Sequence, residues 1–224
     1  MNEATFRNKI ESCRELLDNQ VKSTIDILER RLVFDKLREI IKSNDKLKKD
    51  NIFLEYYFKN YIDAQIMAIM RILDTDNSSK NLFRLLDSLI SGFVIDDSFL
   101  VRIKNDVKVP EINSLNEAIN ASIPVLDIEE IRCDKYKLNS ESENIKKYRD
   151  WKIAHRDTQK WEKLNLSMTE VNRCIDLIHE KVKYYHLAID GGGYTDLTPS
   201  IQYDWEEIFR IPWIKRINNN ENFR

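Results

Sequence analysis

A long stretch of helical periodicity opens the chain and constrains its fold more than any other feature. Between Phe6 and Ile41, apolar residues recur every three or four positions, with charged residues between them and no proline. This spacing places the apolar side chains on one face of an α-helix and the charged ones on the other. We therefore expect one long amphipathic helix, or two abutting ones, whose apolar face other helices must cover.

The composition extends this expectation to the whole chain. The 224 residues include only 4 Gly and 4 Pro, whereas 42% are hydrophobic and 33% are charged. Such a composition is typical of helices joined by short connections and leaves few turn residues for a sheet. Because this length suits one domain with its own core, we predict a single all-α domain over 1–224.

Charge, cysteines and hydropathy indicate which partners and which cellular compartment suit the protein. The formal net charge is −2, so a surface for an anionic partner has to be local. The three cysteines lie far apart and form no CxxC pair, which argues against a disulfide framework and favours a reducing cytoplasm. The most apolar stretch, 62–73, is too short and too polar to cross a bilayer. We expect a cytoplasmic protein with no membrane segment.

Capping residues and glycines predict where the other helices begin and end. The second helix is expected from a cap at Asp50 or Asn51 to Leu73, and the fourth near Asp97–Val107. The third is expected over 80–91, with a cap at Ser78 or Ser79 and with Gly92 as its terminating residue.

The second half of the chain gives two capping boxes and one weak segment. Ser140–Glu143 and Ser167–Glu170 each predict a helix start, with the helices running to Asp157 and to about Ile189. Residues 111–139 have weak periodicity and predict irregular or broken helix. The aromatic tail after the three glycines at 191–193 is expected to pack back on the body as a short helix.

Residues 148–157 form the most chemically informative stretch of the sequence. Between 146 and 160 there are six basic residues and two acidic ones. On an ideal helix, Arg149, Lys152 and Arg156 share one face, and His155 lies at the edge of an apolar stripe. That stripe would consist of Ile145, Tyr148, Trp151 and Ala154. Arginine pairs well with phosphate oxygens, and histidine titrates near neutral pH, so this face suits phosphate chemistry. The alternative interpretation is a solvated helix face.

The order of these residues resembles a known motif. Arg149, a polar Asp150, four further residues and His155 resemble the arginine–histidine motif of the HEPN superfamily. The ending Ala154–Asp157 is similar to the abortive-infection AbiU-type branch, and so is Arg71–Asp74 at the end of a buried helix. The resemblance implies a HEPN-type helical bundle with a core at about 51–189, additional N-terminal and C-terminal helices, and a tail at 190–224 that packs on the core.

The resemblance also implies an activity. HEPN proteins of this kind cleave RNA without a metal or other cofactor, through attack by the 2′-hydroxyl, as toxins or in phage defence. By this resemblance, His155 would transfer a proton and Arg149 would hold the phosphate. The residues expected to support them or to bind phosphate are Asp150, Lys152, Arg156 and Arg71. Asp150 is expected to orient either Arg149 or a partner's histidine, unless it is a plain surface carboxylate.

The spacing of the motif also predicts partners. Arg149 and His155 would lie about 120° apart on an ideal α-helix, so one helix makes an incomplete site. HEPN proteins pair two such helices across a two-fold axis, which implies a homodimer here. The expected partners are therefore RNA, a second copy of the chain and, if the protein is a toxin, an antitoxin.

Several alternatives are also compatible with the sequence. Arg173 and His179 have the same separation as the motif pair, so spacing alone is not diagnostic. A non-catalytic helical module that binds RNA, nucleotide or protein would carry the same cationic face, and a purely structural interaction protein is a third possibility. Arg71 either pairs with Asp74 or reaches a polar pocket between helices, and the pair is favoured. His179 and His186 lack a third ligand, so we assign no metal site.

Overall fold

The computed structural model describes residues 1–45, 51–76, 78–106, 123–154, 166–191, 197–201 and 203–209, except for the side chain of Ala154. Within these ranges the chain is helical and has no strand, as the composition predicts. The α-helices are α1 (Glu3–Ser43), α2 (Ile52–Ile72), α3 (Leu82–Ile95), α4 (Phe99–Asp106), α5 (Ile128–Tyr148) and α6 (Met168–Asp190). A π-helical segment, Arg149–Ala154, continues α5, and a 3-10 helix spans Trp205–Phe209.

The predicted long N-terminal helix forms as a single element. Asn2 caps α1 by accepting a hydrogen bond from the Thr5 N–H, and the helix then continues for 41 residues, a length of about 60 Å. Its apolar stripe packs against α2, α3 and above all α6. Helix α1 is therefore the central helix of the bundle, in contact with three of the other helices.

The start of α3 differs from the prediction at its cap. Asn81, rather than Ser78 or Ser79, is the N-cap residue, and its side chain accepts a hydrogen bond from the Arg84 N–H at 2.7 Å. The Ser79 hydroxyl instead accepts a hydrogen bond from Asn81 Nδ2. Of the two residues expected to cap α2, Asp50 and Asn51, the N-cap is Asn51. Its side chain accepts hydrogen bonds from Phe53 N and Leu54 N.

Gly92 does not end α3, contrary to the prediction. The helix continues to Ile95, and Asp96 is its C-cap residue. A Cβ atom at position 92 would overlap the ring of Phe99, which is fully buried in α4. The glycine therefore serves the close approach of α4 to α3 rather than a left-handed turn.

Helix α5 contradicts two predictions. It begins at Ile128, where Asp127 accepts hydrogen bonds from Glu129 N and Glu130 N, so residues 128–139 are regular helix. The apparent capping box at Ser140–Glu143 lies inside this helix. Capping signals are local, and nothing in that tetrapeptide shows that a cap thirteen residues earlier has already started the helix. Part of the predicted irregular segment, 111–122, lies outside the described residues.

The capping box that opens α6 is confirmed. The Ser167 side chain accepts from Glu170 N, and the Glu170 side chain accepts from Ser167 N. The helix ends at Gly191, which has a φ of 76°, a left-handed conformation that glycine adopts without strain. The inner face of α6 is buried against α1 and α5.

The described part of the tail lies against the bundle. Leu197 is buried in the same core cluster as the helices. Glu206, in the 3-10 helix, lies 3.8 Å from Lys36 of α1, and the rings of Trp205 and Phe209 contact each other edge to face. Residues 210–224 lie outside the described part. Among the helices described, none has both the length and the apolar character needed to cross a membrane.

Candidate functional site

The motif stretch begins where α5 changes its helical geometry. Residues Arg149–Ala154 form a π-helix, in which hydrogen bonds connect residues five apart rather than four. The predicted α-helix through Asp157 is therefore wrong over this segment, and the 120° angle between Arg149 and His155 does not apply. Turns of this kind are rare and occur frequently at functional sites.

The wider turn also changes which side chains face the core. Ile145 is fully buried, whereas Tyr148 and Ile153 are partly buried and pack against the core cluster. Trp151 is partly exposed. An ideal α-helix would have continued the apolar stripe through Trp151 and Ala154, but in the structure Ile153 packs inward.

Arg149 is held by the carboxylate that follows it. Its Nε donates a hydrogen bond to Asp150 Oδ1 at 2.7 Å, and its Nη2 lies 2.6 Å from the same oxygen. The Arg149 side chain is 25% exposed and that of Asp150 is 36% exposed. Of the roles expected for Asp150, the structure supports the orientation of Arg149 within the same chain.

Arg149 also lines a small polar pocket between the C-terminal end of α2 and α5. From α5 the pocket is lined by Asn139, Ser142, Lys146 and Arg149, and from the end of α2 and the following turn by Asp74 and Thr75, among others. Its volume is about 30 Å³. The four α5 residues follow one another at helical spacing, so they border the pocket from one face of the helix.

Lys146 is a site residue for which the sequence predicts no role of its own. It belongs to the basic stretch, but the sequence does not show that its helix face lies beside the end of α2 and the following turn. The signal that points to it is its i, i+3 spacing from Arg149, which places two cations on one helix face. Asn139 and Ser142 escape prediction for the same reason.

Two other predicted site residues lie outside this pocket. The Lys152 ammonium lies 4.7 Å from the centroid of the Tyr148 ring, a cation–π contact. Arg71 is exposed and makes no ion pair with Asp74, so the favoured pairing of these two residues is wrong. The Asp74 carboxylate instead accepts hydrogen bonds from the N–H groups of Thr75 and Asp76.

The remaining motif residues, His155 and Arg156, lie outside the described part of the chain. The structure therefore does not show their distance from Arg149. The second pair of the same spacing has a different environment. Arg173 is 59% exposed, lies 3.7 Å from Glu141 and belongs to a regular α-helix, α6.

The described residues contain no cluster of three or more His, Cys, Asp or Glu side chains that could hold a metal ion. Besides the carboxylates of Asp74 and Asp150, the polar groups around Arg149 include donors that suit an anion: a guanidinium, an ammonium, an amide and a hydroxyl. Such a set can hold a phosphate and stabilise charge that develops on it.

Comparison with known proteins identifies a family for the chain. The family model HEPN_AbiU2, described as AbiU2, matches residues 8–208. No curated protein and no solved structure matches the chain. The match covers most of the chain, including the pocket, the π-helical segment and the arginine–histidine motif, and it agrees with the all-α architecture. The chain therefore belongs to the AbiU2 family of HEPN-type proteins.

Proposed function

We propose that this protein is a metal-independent endoribonuclease that acts in abortive infection of phage-infected cells or as the toxin of a toxin–antitoxin pair. The observation that carries the proposal is the position of Arg149. It is partly exposed, oriented by Asp150 and lines a polar pocket, six residues before His155 in a family member of HEPN type.

The chemistry follows from the side chains. The RNA 2′-oxygen attacks the adjacent phosphorus, the bond from phosphorus to the 5′-oxygen breaks, and the products carry a 2′,3′-cyclic phosphate and a 5′-hydroxyl. His155 removes the proton from the 2′-hydroxyl or supplies one to the leaving 5′-oxygen, since imidazole titrates near neutral pH. Arg149 stays charged throughout and stabilises the negative charge on the phosphate oxygens in the transition state.

A complete site needs a second copy of the chain. One imidazole cannot be base and acid in the same step, whereas two copies related by a two-fold axis bring two histidines and two arginines together. We therefore propose a homodimer with the Arg149–Ala154 segment at the interface. If the protein is a toxin, an antitoxin partner would neutralise it.

The test is an RNA cleavage assay in EDTA with wild type, Arg149→Ala and His155→Ala. We expect wild type to cleave labelled RNA and leave a cyclic phosphate end, and each variant to lose at least about 100-fold in rate, the typical size of an acid–base or charge-stabilising contribution. Arg173→Ala is the matched control. It removes an exposed arginine of α6 that precedes a histidine by the same six residues, and this variant should cleave at the wild-type rate.

Two outcomes would contradict the proposal. RNA with a 2′-O-methyl group at every position lacks the nucleophile, so its cleavage would exclude 2′-hydroxyl attack. If wild type leaves ordinary RNA intact but binds it in a salt-sensitive way, the protein is a binding module rather than a nuclease.

A further inference from the structure

Lys146 is the cation of the pocket that has no counterion among the described residues. Arg149 is already bound to Asp150, and the neighbouring Lys147 lies 2.6 Å from Glu143, a contact that lowers the pKa of Glu143. Lys146 is exposed and makes no ion pair with any described residue. Its ammonium group is therefore available to an anion that enters the pocket.

The acidic residue of the pocket, Asp74, is not a counterion of Lys146. Asp74 Oδ1 accepts hydrogen bonds from Thr75 N at 2.7 Å and Asp76 N at 3.2 Å, and Oδ2 lies 3.4 Å from the Ser79 hydroxyl. These donors account for the contacts of the carboxylate, and Asp74 makes no ion pair with Lys146. The negative charge of Asp74 weakens the attraction of the pocket for an anion, but the Lys146 ammonium group stays free to contact one directly.

The size of the pocket decides what kind of group can enter. A volume of about 30 Å³ accommodates roughly two water molecules, at about 10–15 Å³ each. A nucleobase is far too large, whereas an oxygen of a phosphate whose remaining atoms stay outside the pocket fits. Neutral donors are also present, since the side chains of Thr75 and Asn139 line the pocket and make no hydrogen bond to a described residue.

We infer that Lys146 binds an RNA backbone phosphate next to the scissile one, with one of its oxygens entering the pocket between α2 and α5. This inference rests on the proposed function and deepens it. Lys146 lies one helical turn before Arg149, on the side of Arg149 that is away from His155 along the chain. A strand whose scissile phosphate is held by Arg149 would continue along α5 past Lys146.

This position implies recognition of the backbone and not of sequence. Because only a phosphate oxygen enters the pocket, the contact at Lys146 contributes equally for every base. The substrate class is therefore RNA of any sequence with at least one phosphate beyond the cleavage position.

The test measures binding of RNA that cannot be cleaved. A fluorescein-labelled oligonucleotide with 2′-O-methyl groups throughout is titrated with wild type, Lys146→Gln and Lys147→Gln, and its anisotropy is followed over a series of salt concentrations. We expect Lys146→Gln to raise the Kd about five-fold and to reduce the slope of log K against log salt by about 0.7, the contribution of one phosphate contact on a single strand. Lys147→Gln removes the same charge from the adjacent position and should leave both quantities near their wild-type values.

The results separate this inference from the proposed function. A selective effect of Lys146→Gln supports the phosphate contact even if ordinary RNA is not cleaved, because the probe does not depend on chemistry. Equal effects of the two substitutions would mean that Lys146 contributes only through the overall charge of the protein. That result would overturn the inference. An unchanged Kd for Lys146→Gln, or no binding by wild type, would overturn it as well.

Discussion

At the scale of single residues, Arg149 shows how a charged group can be positioned before any substrate arrives. Asp150 contacts the Nε and Nη2 side of the guanidinium through one oxygen, which restricts its rotation. An arginine that is already oriented loses less conformational entropy when it binds a phosphate. The adjacent carboxylate also partly cancels its charge, so the proposed role of Lys146 is to add positive charge for an anion in the pocket.

The three cysteines differ sharply in their surroundings and give a prediction at the same scale. Cys13 and Cys174 have no exposed surface, and burial raises the pKa of each thiol to about 12. Cys133 is exposed on α5. Because the thiolate is the reactive form, we expect a disulfide reagent such as DTNB to titrate one thiol rapidly in the native protein and three after denaturation.

Cys133→Ser is the control for this titration. It should remove the rapid reaction and leave the other two thiols to react only in denaturant. Rapid reaction of a second thiol in the native state would mean that α1 or α6 is less well packed than the structure shows.

At the scale of helices, the junction of α3 and α4 gives a prediction about packing. Gly92→Ala adds a methyl group that overlaps the buried Phe99 ring. Alanine favours a helix by about 1 kcal/mol over glycine, but overpacking a core commonly costs about 1–3 kcal/mol. The overlap involves three atoms of a buried ring, so the upper part of this range applies. We expect a net loss of about 1–2 kcal/mol, measured as a fall in Tm of roughly 2–8 °C.

The neighbouring serine is a suitable control for this substitution. Ser91 is exposed, so Ser91→Ala should change the stability by less than about 0.5 kcal/mol. If Gly92→Ala is as stable as wild type or more so, the close contact of the two helices does not constrain position 92.

The helices also show which features the sequence can predict and which it cannot. The capping box of Ser167 and Glu170 is predictable because its reciprocal hydrogen bonds involve only four consecutive residues. Ser140 and Glu143 match the same pattern but lie inside α5. Within that helix, the neighbouring Ser142 hydroxyl donates a hydrogen bond to Asn139 O. Local patterns therefore predict that helices exist, but they do not choose between competing caps such as Asp127 and Ser140. The place of Gly92 within α3 depends on its packing against Phe99.

The candidate site likewise has features that the sequence predicts and features that it does not. The position of Arg149 beside a polar follower is evident from the sequence, and the motif is sufficient to indicate the family. The π-helical turn and the pocket with Lys146 are not predictable in this way, because both depend on how α5 meets the end of α2. The predicted roles of His155 and Arg156 stay predictions.

At the scale of the whole molecule, the proposed dimer can be tested directly. We expect light scattering to give about twice the chain mass of 26.7 kDa, because a two-fold pairing is needed to complete the site. The activity per chain should also fall on dilution below the dissociation constant of the dimer. Full activity from a species of monomer mass would contradict a site shared between two copies.

The pairing of α1 with α6 has a consequence for how the protein is made. Among the described helices, α1 packs most extensively against α6, and Arg14 reaches Asp190 across 176 positions of sequence. During translation the apolar stripe of α1 therefore waits for its partner on the order of ten seconds, since ribosomes add about 5–20 residues per second. Shorter nascent chains expose the part of that stripe that faces α6, so we expect the ribosome-bound chain to bind chaperones until α6 emerges.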